Sequence, residues 1–240
     1  MENLKQENKY VVKLGGSAVS VSEENIFDFN YLKTFKATLE ELIAAGNKFF
    51  VTVGGGYTMR KFRDLAKAAG LNDDHELHWM GTTTCVFNAE IVRAFCHDIA
   101  DAGLYKYEDY YSPEKLEIEK GIKVGGGGRP GHSSDVDAIL AAEKIGAKSI
   151  ISLKNIDSIY DHDPKQFPEA KPVSDLTWDQ YLDIIGNVTV HMPGGNYPID
   201  PVASRMAKAA GISFYILGSN DLDNFINLIK NGTFKGTLVH

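Results

Sequence analysis

The sequence predicts an α/β protein with a mainly parallel, open sheet and helices on both faces. Three observations carry this. Strand-like apolar runs alternate with helix-like runs along the 240 residues, as in successive βα units. Three of the strand-like runs, ending at Leu14, Val53 and Val124, pass directly into glycine loops. In open α/β sheets ligands gather at the carboxyl ends of strands, so these loops are where function is expected. No fixed-period repeat, low-complexity tract or composition break marks a linker. A single domain spanning residues 1–240 is expected, softly divided into lobes of residues 1–120 and 121–240.

Taken in order, Tyr10 to Leu14 is the first strand, closed by Gly15-Gly16-Ser17. Leu32, Phe35, Leu39, Leu42 and Ile43 fall at helical spacing within residues 30–45, and Gly46 ends that helix. Phe49 to Val53 is a second strand, and Met59 to Ala69 a helix stopped by Gly70. His75 to Ala102 reads as one or two longer helices, and the tyrosine-rich stretch 105–119 as a helix plus loop. Ile122 to Val124 is a strand, Val136 to Ile145 a helix, and Ser149 to Leu153 a strand. Pro164 and Pro168 exclude a long helix after it. Thr177 caps a helix to Ile185. Gly194-Gly195 precede Asp200-Pro201, an N-cap with proline at the first helical position, and that helix runs to Ala210. Ser213 to Leu217 is a strand, a helix from Asn220 or Asp221 reaches Lys230, and residues 236–239 close the chain as a strand.

Composition bounds the function. Hydrophobic residues make up 43%, enough for a proper core. Twenty-five basic against 32 acidic residues give a formal charge of −7, so the chain has no bulk attraction for nucleic acid or an anionic membrane. Any phosphate site must be a local pocket. No apolar run approaches the roughly 20 residues that span a bilayer. The polar start, Met1 to Tyr10, carries no signal-peptide pattern, and a cytoplasmic protein is expected. Cys85 and Cys96 would lie about 16 Å apart along a helix, too far for a bridge, so reduced thiols are expected. No cysteine–histidine cluster has zinc spacing, and no protein-held metal site is expected.

The chemistry lies in four loops. The stretch Gly125-Gly126-Gly127-Gly128-Arg129-Pro130-Gly131-His132-Ser133-Ser134-Asp135 joins a strand to a helix. Glycines without Cβ allow close backbone approach, and Ser133, Ser134 and the free N–H groups of the helix start suit an anion. Asp135 then places a carboxylate beside that anion, which demands positive charge from elsewhere. Lys13, in an otherwise apolar strand, is either an exposed edge lysine or a lysine reaching over Gly15, Gly16 and Ser17 to a phosphate. It precedes its glycines, unlike the lysine of a Walker A loop. The second loop, Gly54-Gly55-Gly56, is followed one turn later by Arg60, whose fork suits a phosphate. The fourth, Asp157-x-x-Tyr160-x-x-Asp163-Pro164, is either a turn with a packed tyrosine or a loop offering a ring to a base and carboxylates to ribose hydroxyls.

In this order the motifs resemble the amino acid kinase superfamily, most closely the uridylate (UMP) kinases of the archaeal type, with their Pro-Gly-His-(Ser/Thr)-(Ser/Thr)-Asp motif. The resemblance runs from Lys13 to Gly236-Thr237-Leu238. It implies an αβα sandwich, ATP-dependent transfer to UMP with magnesium held mainly by the phosphates, and a homo-oligomer, hexameric in the family. It implies that Lys13 neutralises the transferred phosphoryl group and that Asp135 orients the lysine and the magnesium-bound phosphates. Gly15, Gly16 and Ser17 would turn around the ATP phosphates, and Asp157, Tyr160, Asp163 and Pro164 would hold its base and ribose, beside Lys154 and Asn155. Gly55, Gly56, Arg60, His132, Ser133 and Ser134 would hold the acceptor.

Three positions depart from the family pattern. His78 stands near where many uridylate kinases carry an aspartate for the acceptor ribose, with Asp73 and Asp74 upstream. Ser158 replaces the glycine of Asp-Gly-Val-Tyr, and Lys154 replaces a small hydroxyl residue, where it either meets phosphate or is solvated. Two further readings stand beside the first: a kinase of the same fold with another phosphate or carboxylate acceptor, and a non-catalytic nucleotide or oxyanion binder like the molybdenum-storage proteins. Tyr105 to Tyr111 is expected to form a dimer surface or a mobile lid, and a face bearing Trp79 and Phe87 to bury a dimer contact.

Overall fold

The computed structural model describes residues 8–164, 166–189 and 197–240; Gly194 and Gly195 lie outside them. The first half runs β1 (Lys9–Leu14), α1 (Gly16–Val19), α2 (Phe29–Ala44), β2 (Lys48–Val53), α3 (Gly56–Ala68), α4 (Asp74–Phe95), a 3-10 turn (Tyr107–Tyr111) and β3 (Ile122–Gly125). Then follow α5 (Ser134–Ile145), β4 (Ser149–Lys154), β5 (Ile159–Tyr160), β6 (Pro172–Val173), β7 (Asp175–Leu176) and α6 (Trp178–Ile184). The chain closes with α7 (Pro201–Ala210), β8 (Ser213–Gly218), α8 (Leu222–Asn231) and β9 (Thr237–Val239).

Seven strands form one sheet in the order β3-β2-β1-β4-β8-β9-β7. The first five are mutually parallel, and β9 runs antiparallel to β8. β5 and β6 form a separate antiparallel pair. The sheet is continuous across residue 120, because β3 joins β2. Among the described residues no helix is long and apolar enough to cross a membrane.

The two faces carry two cores. Tyr10, Val12 and Leu14 of β1 point to the side covered by α1, α2, α4 and α8. Val11 points to the other side, covered by α5, α6 and α7. Side chains alternate along a strand, so Lys13 belongs to the α5 side. On β4 the same parity takes Ile150 to the α5 side, and with it Lys154 at the strand's end. Two lysines therefore emerge from adjacent strands toward the start of one helix. β1 lies between β2 and β4, so the edge-lysine reading of Lys13 does not hold, and the residue is 8% exposed.

Several boundaries differ from expectation. α3 begins at Gly56, not Met59, because Ser20 satisfies its first donors: Tyr57 N donates to Ser20 O at 2.8 Å and Thr58 N to Ser20 Oγ at 2.9 Å. α4 stops at Phe95, since the backbone beyond it serves the sheet edge instead: Asp101 N donates to Ile122 O at 2.9 Å, and Ala100 bridges Ile122. Tyr105 and Tyr110 form neither a lid nor a dimer surface. They are core residues packed edge-on against Phe50, with ring centroids at 5.5 and 6.2 Å. The caps expected at Thr177, Asp200 and Asp221 are present, Thr177 in a full capping box with Gln180.

Candidate active site

The three glycine loops meet above the carboxyl ends of β1, β2 and β3. Their glycines are required chiefly by one another. A Cβ on Gly16 would lie 2.1 Å from Gly56 N and 2.6 Å from the Gly54 carbonyl carbon. One on Gly56, which has φ +60°, would lie 2.3 Å from Gly16 O. Likewise a Cβ on Gly126 would meet Val53 O at 2.9 Å, and one on Gly127 would meet Thr82 O at 2.4 Å. The close approaches expected between glycine and ligand are thus, at these positions, approaches between backbone and backbone.

A buried asparagine holds the second loop. Asn88, in α4, donates through Nδ2 to Gly54 O at 2.9 Å and to Gly55 O at 2.8 Å. Thr58 Oγ1 lies 2.9 Å from Gly55 O and 3.1 Å from Asn88 Oδ1, its single proton shared between the two acceptors. The sequence reading missed Asn88, because a lone asparagine inside a helical stretch carries no local signal.

The charged centre is Asp135, 3% exposed in the first turn of α5. Lys13 Nζ lies 3.0 Å from its Oδ1 and Lys154 Nζ 3.6 Å from its Oδ2, which also accepts from Asp200 N at 3.0 Å. Burial alone would raise the pKa of Asp135, but the two ammonium groups and the Asp200 N–H outweigh it and hold the carboxyl well below the usual range. Burial, with Lys13 nearby, pushes Lys154 down to about 8, against the opposing pull of Asp135. Lys154 is therefore no solvated surface lysine; it also donates to Pro198 O.

Two clefts lie side by side here, one of them lined by this centre. That one, of about 190 Å³, is lined by Lys13, Gly15, Gly16, Ser17, Gly56, Arg60, Asp135, Lys154 and Asn155, together with Tyr197 and with Asp200, which the sequence offered only as a helix cap. Arg60 Nη1 approaches Ser17 Oγ at 3.4 Å. The other, of about 230 Å³, is lined by Met59, Arg63, His78, Thr82, His132 and Asp137 among others. Gly55, Ser133 and Ser134 line both. Asp74 shares the second cleft with His78, four residues away on the same face of α4, so a carboxylate stands one helical turn from that departure. Asp157, Tyr160, Asp163 and Pro164 line neither cleft. There Tyr160 OH donates to Asp157 Oδ1 at 3.0 Å, and Gln166 Nε2 to Asp163 Oδ2 at 3.2 Å. Ser133 also caps α5, its Oγ accepting from Asp135 N at 3.2 Å.

A cation fits this centre only as cargo of an anionic ligand. Asp135 is already bracketed by lysines, and among the described residues no group of three or more His, Cys, Asp or Glu side chains could hold a metal ion. Burial pushes the Cys85 and Cys96 thiols up to about 12, so neither is a nucleophile at neutral pH.

Two clefts that meet at Gly55, Ser133 and Ser134, one of them lined by the charged trio, on a mainly parallel sheet covered on both faces, define a small-molecule kinase fold. The chain belongs to the amino acid kinase family, whose sequence model matches residues 8–104 and 119–218. It is 31% identical over 233 residues to the uridylate kinase of Thermococcus kodakarensis, covering 96% of this chain and 99% of that protein. It is 30% identical over 232 residues to the uridylate kinase of Archaeoglobus fulgidus, covering 96% and 99%. The crystal structure of uridylate kinase from Archaeoglobus fulgidus superimposes with a TM-score of 0.77 at 27% identity, over 97% of this chain and all of that one.

Replacing Asn88 by alanine would leave the Gly54 carbonyl without its buried donor, while Gly55 O keeps Thr58 Oγ1 and Met59 N. The expected loss is about 1–3 kcal/mol of unfolding free energy. Urea denaturation of the variant measures it; an unchanged midpoint would mean that Asn88 does not hold the loop.

Proposed function

We propose that this chain transfers the terminal phosphoryl group of ATP to the phosphate of UMP, giving UDP and ADP. The observation that carries the reading is the Lys13–Asp135–Lys154 cluster lining one cleft, which shares Gly55, Ser133 and Ser134 with a second. Full-length similarity to archaeal uridylate kinases selects the acceptor.

In this reading the cleft with Gly15, Gly16 and Ser17 takes the ATP phosphates, and the cleft with Arg63 and His78 takes the acceptor. The acceptor phosphate lies on Ser133, Ser134 and the Gly55 backbone, with Arg60 close by. A phosphate oxygen of UMP attacks the terminal phosphorus, the bond to the bridging oxygen of ADP breaks, and no general base is needed because the nucleophile is already ionised. Lys13 and Lys154 offset charge on the moving group, and Asp135 aims both lysines. Magnesium enters on the ATP phosphates and screens their charge. Asp74 supplies the carboxylate for the acceptor ribose that His78 does not. Asp157, Tyr160, Asp163 and Pro164 hold the ATP base once it is bound. The protein works as a homo-oligomer in the cytoplasm, and the exposed Phe62, Leu65, Trp79 and Phe87 of α3 and α4 supply apolar surface for contacts between copies.

ADP release with magnesium, ATP and a panel of nucleoside monophosphates, sugar phosphates and carboxylates tests the acceptor. UMP-selective turnover is expected; turnover with another acceptor alone refutes UMP, and binding without any turnover refutes catalysis. Lys13→Ala should remain folded by circular dichroism and lose roughly 100-fold in kcat, the effect of one pre-organised donor. Near-normal turnover would remove Lys13 from the mechanism.

Lys154 gives a pH signature. It is charged below about pH 8 and neutral above, so kcat/KM for ATP should fall as pH rises through that value. The alkaline limb should vanish in Lys154→Gln, on a lower plateau. A limb that persists in the variant belongs to another group.

A further inference from the structure

Asp137 lines the acceptor cleft and has no task in the reaction set out above. It is 3% exposed, and its Oδ1 has no hydrogen-bond partner among the described residues. The His132 ring is near, its Nδ1 3.9 Å away and beyond hydrogen-bond reach. His132 is itself engaged, with Nε2 3.1 Å from Tyr111 OH and Nδ1 3.2 Å from Ser133 O. A Cβ on Gly128 would lie 2.4 Å from Asp137 Oδ1, so the absent side chain of that glycine keeps the carboxylate's space open. The carboxylate's charge acts on two buried neutral groups, the Cys85 thiol and Tyr110 OH, the latter also without a hydrogen-bond partner among the described residues.

A buried carboxylate oxygen without a donor is costly, and packing alone does not maintain it, because a neutral side chain of similar size would avoid the cost. Burial raises the Asp137 pKa, while His132 and the Gly128 and Gly127 N–H groups oppose the rise. The position also suits a ligand. Asp137 follows Ser134 by three residues on α5, a rise of about 4.5 Å, so a molecule with its anionic end on Ser133 and Ser134 extends its body toward Asp137.

We infer that Asp137 reads the body of the acceptor, its Oδ1 accepting a hydrogen bond from a ring N–H, which in UMP is the N–H between the two uracil carbonyls. The inference rests on the UMP reading and adds the residue that would make the cleft selective for the base. Arriving substrate completes the missing hydrogen bond, so the cost of the buried acid in the free protein becomes discrimination against ligands that cannot donate there. The sequence gives no local hint of it: an aspartate in the first turn of a helix is expected for the helix dipole alone.

The test compares UMP with its analogue methylated on that ring nitrogen, in wild type, Asp137→Ala and the isosteric Asp137→Asn. Wild type should show a KM for the methylated analogue about tenfold or more above that for UMP, the scale of a hydrogen bond to a charged group. In Asp137→Ala the KM for UMP should rise about as much, with kcat and the KM for ATP within about twofold, and the difference between analogue and UMP should disappear. Asp137→Asn keeps an acceptor oxygen and should fall between them. Ligand-free Asp137→Asn, which keeps an oxygen for the Gly127 and Gly128 N–H groups, should melt at or above the wild-type temperature. Variants that keep the wild-type ratio of analogue to UMP overturn the inference, as does a lower melting temperature with an unchanged KM for UMP, which would assign Asp137 a structural role. These outcomes leave the function standing, whereas a wild type that ignores UMP removes both.

Discussion

One carboxylate sets the terms for this molecule. Asp135 is buried between two ammonium groups that the sheet delivers from neighbouring strands, and neither lysine would be stable at that depth without it. The trio has one excess positive charge, which suits it to meet a phosphoryl group and makes it a poor place for an isolated metal ion. The fold supplies the geometry: parity along β1 and β4 sends Lys13 and Lys154 to the α5 side, and the first turn of α5 brings Asp135 to meet them. Asp200, capping α7, adds a backbone N–H to the same carboxylate. Four elements therefore converge on two oxygen atoms.

The division of labour among the glycine loops follows from that convergence. Gly16, Gly54 and Gly56 let the ends of β1 and β2 touch, and Ser134 Oγ would lie 3.2 Å from a Cβ on Gly54. Ser133 and Ser134 therefore stand where the two clefts join. Asn88 reaches in from α4, tying that helix, which lines the cleft of Arg63 and His78, to the second glycine loop.

Much of this was legible in the sequence because it is local. Strand-to-glycine transitions, the Asp200-Pro201 cap and the order of the four loops are written in contiguous residues, and they point to the fold and to the Lys13 and Asp135 neighbourhood. What was hidden is what depends on distant partners. Whether Lys13 was an edge or a central lysine depended on strand order, which no stretch of sequence states. Tyr105 and Tyr110 fall in a stretch expected to form a dimer surface or a mobile lid, yet both rings pack inward against Phe50 of β2. α4 ended early because Asp101 N pairs with Ile122 O, a competition between helix and sheet that periodicity cannot reveal. Asn88 and Asp137 carry their meaning only through the backbone opposite them.

The contact between Gly16 and Gly56 also constrains how this family member can change. Where two side chains touch, enlarging one can be offset by trimming the other, and lineages drift through such paired exchanges. Here each residue meets main-chain atoms, and no substitution makes a main chain smaller. Variation at either glycine has no second-site suppressor of the ordinary kind. Divergence is thereby directed outward, to the side chains of α3, α4 and α5 that line the cleft of Arg63, His78 and Asp137.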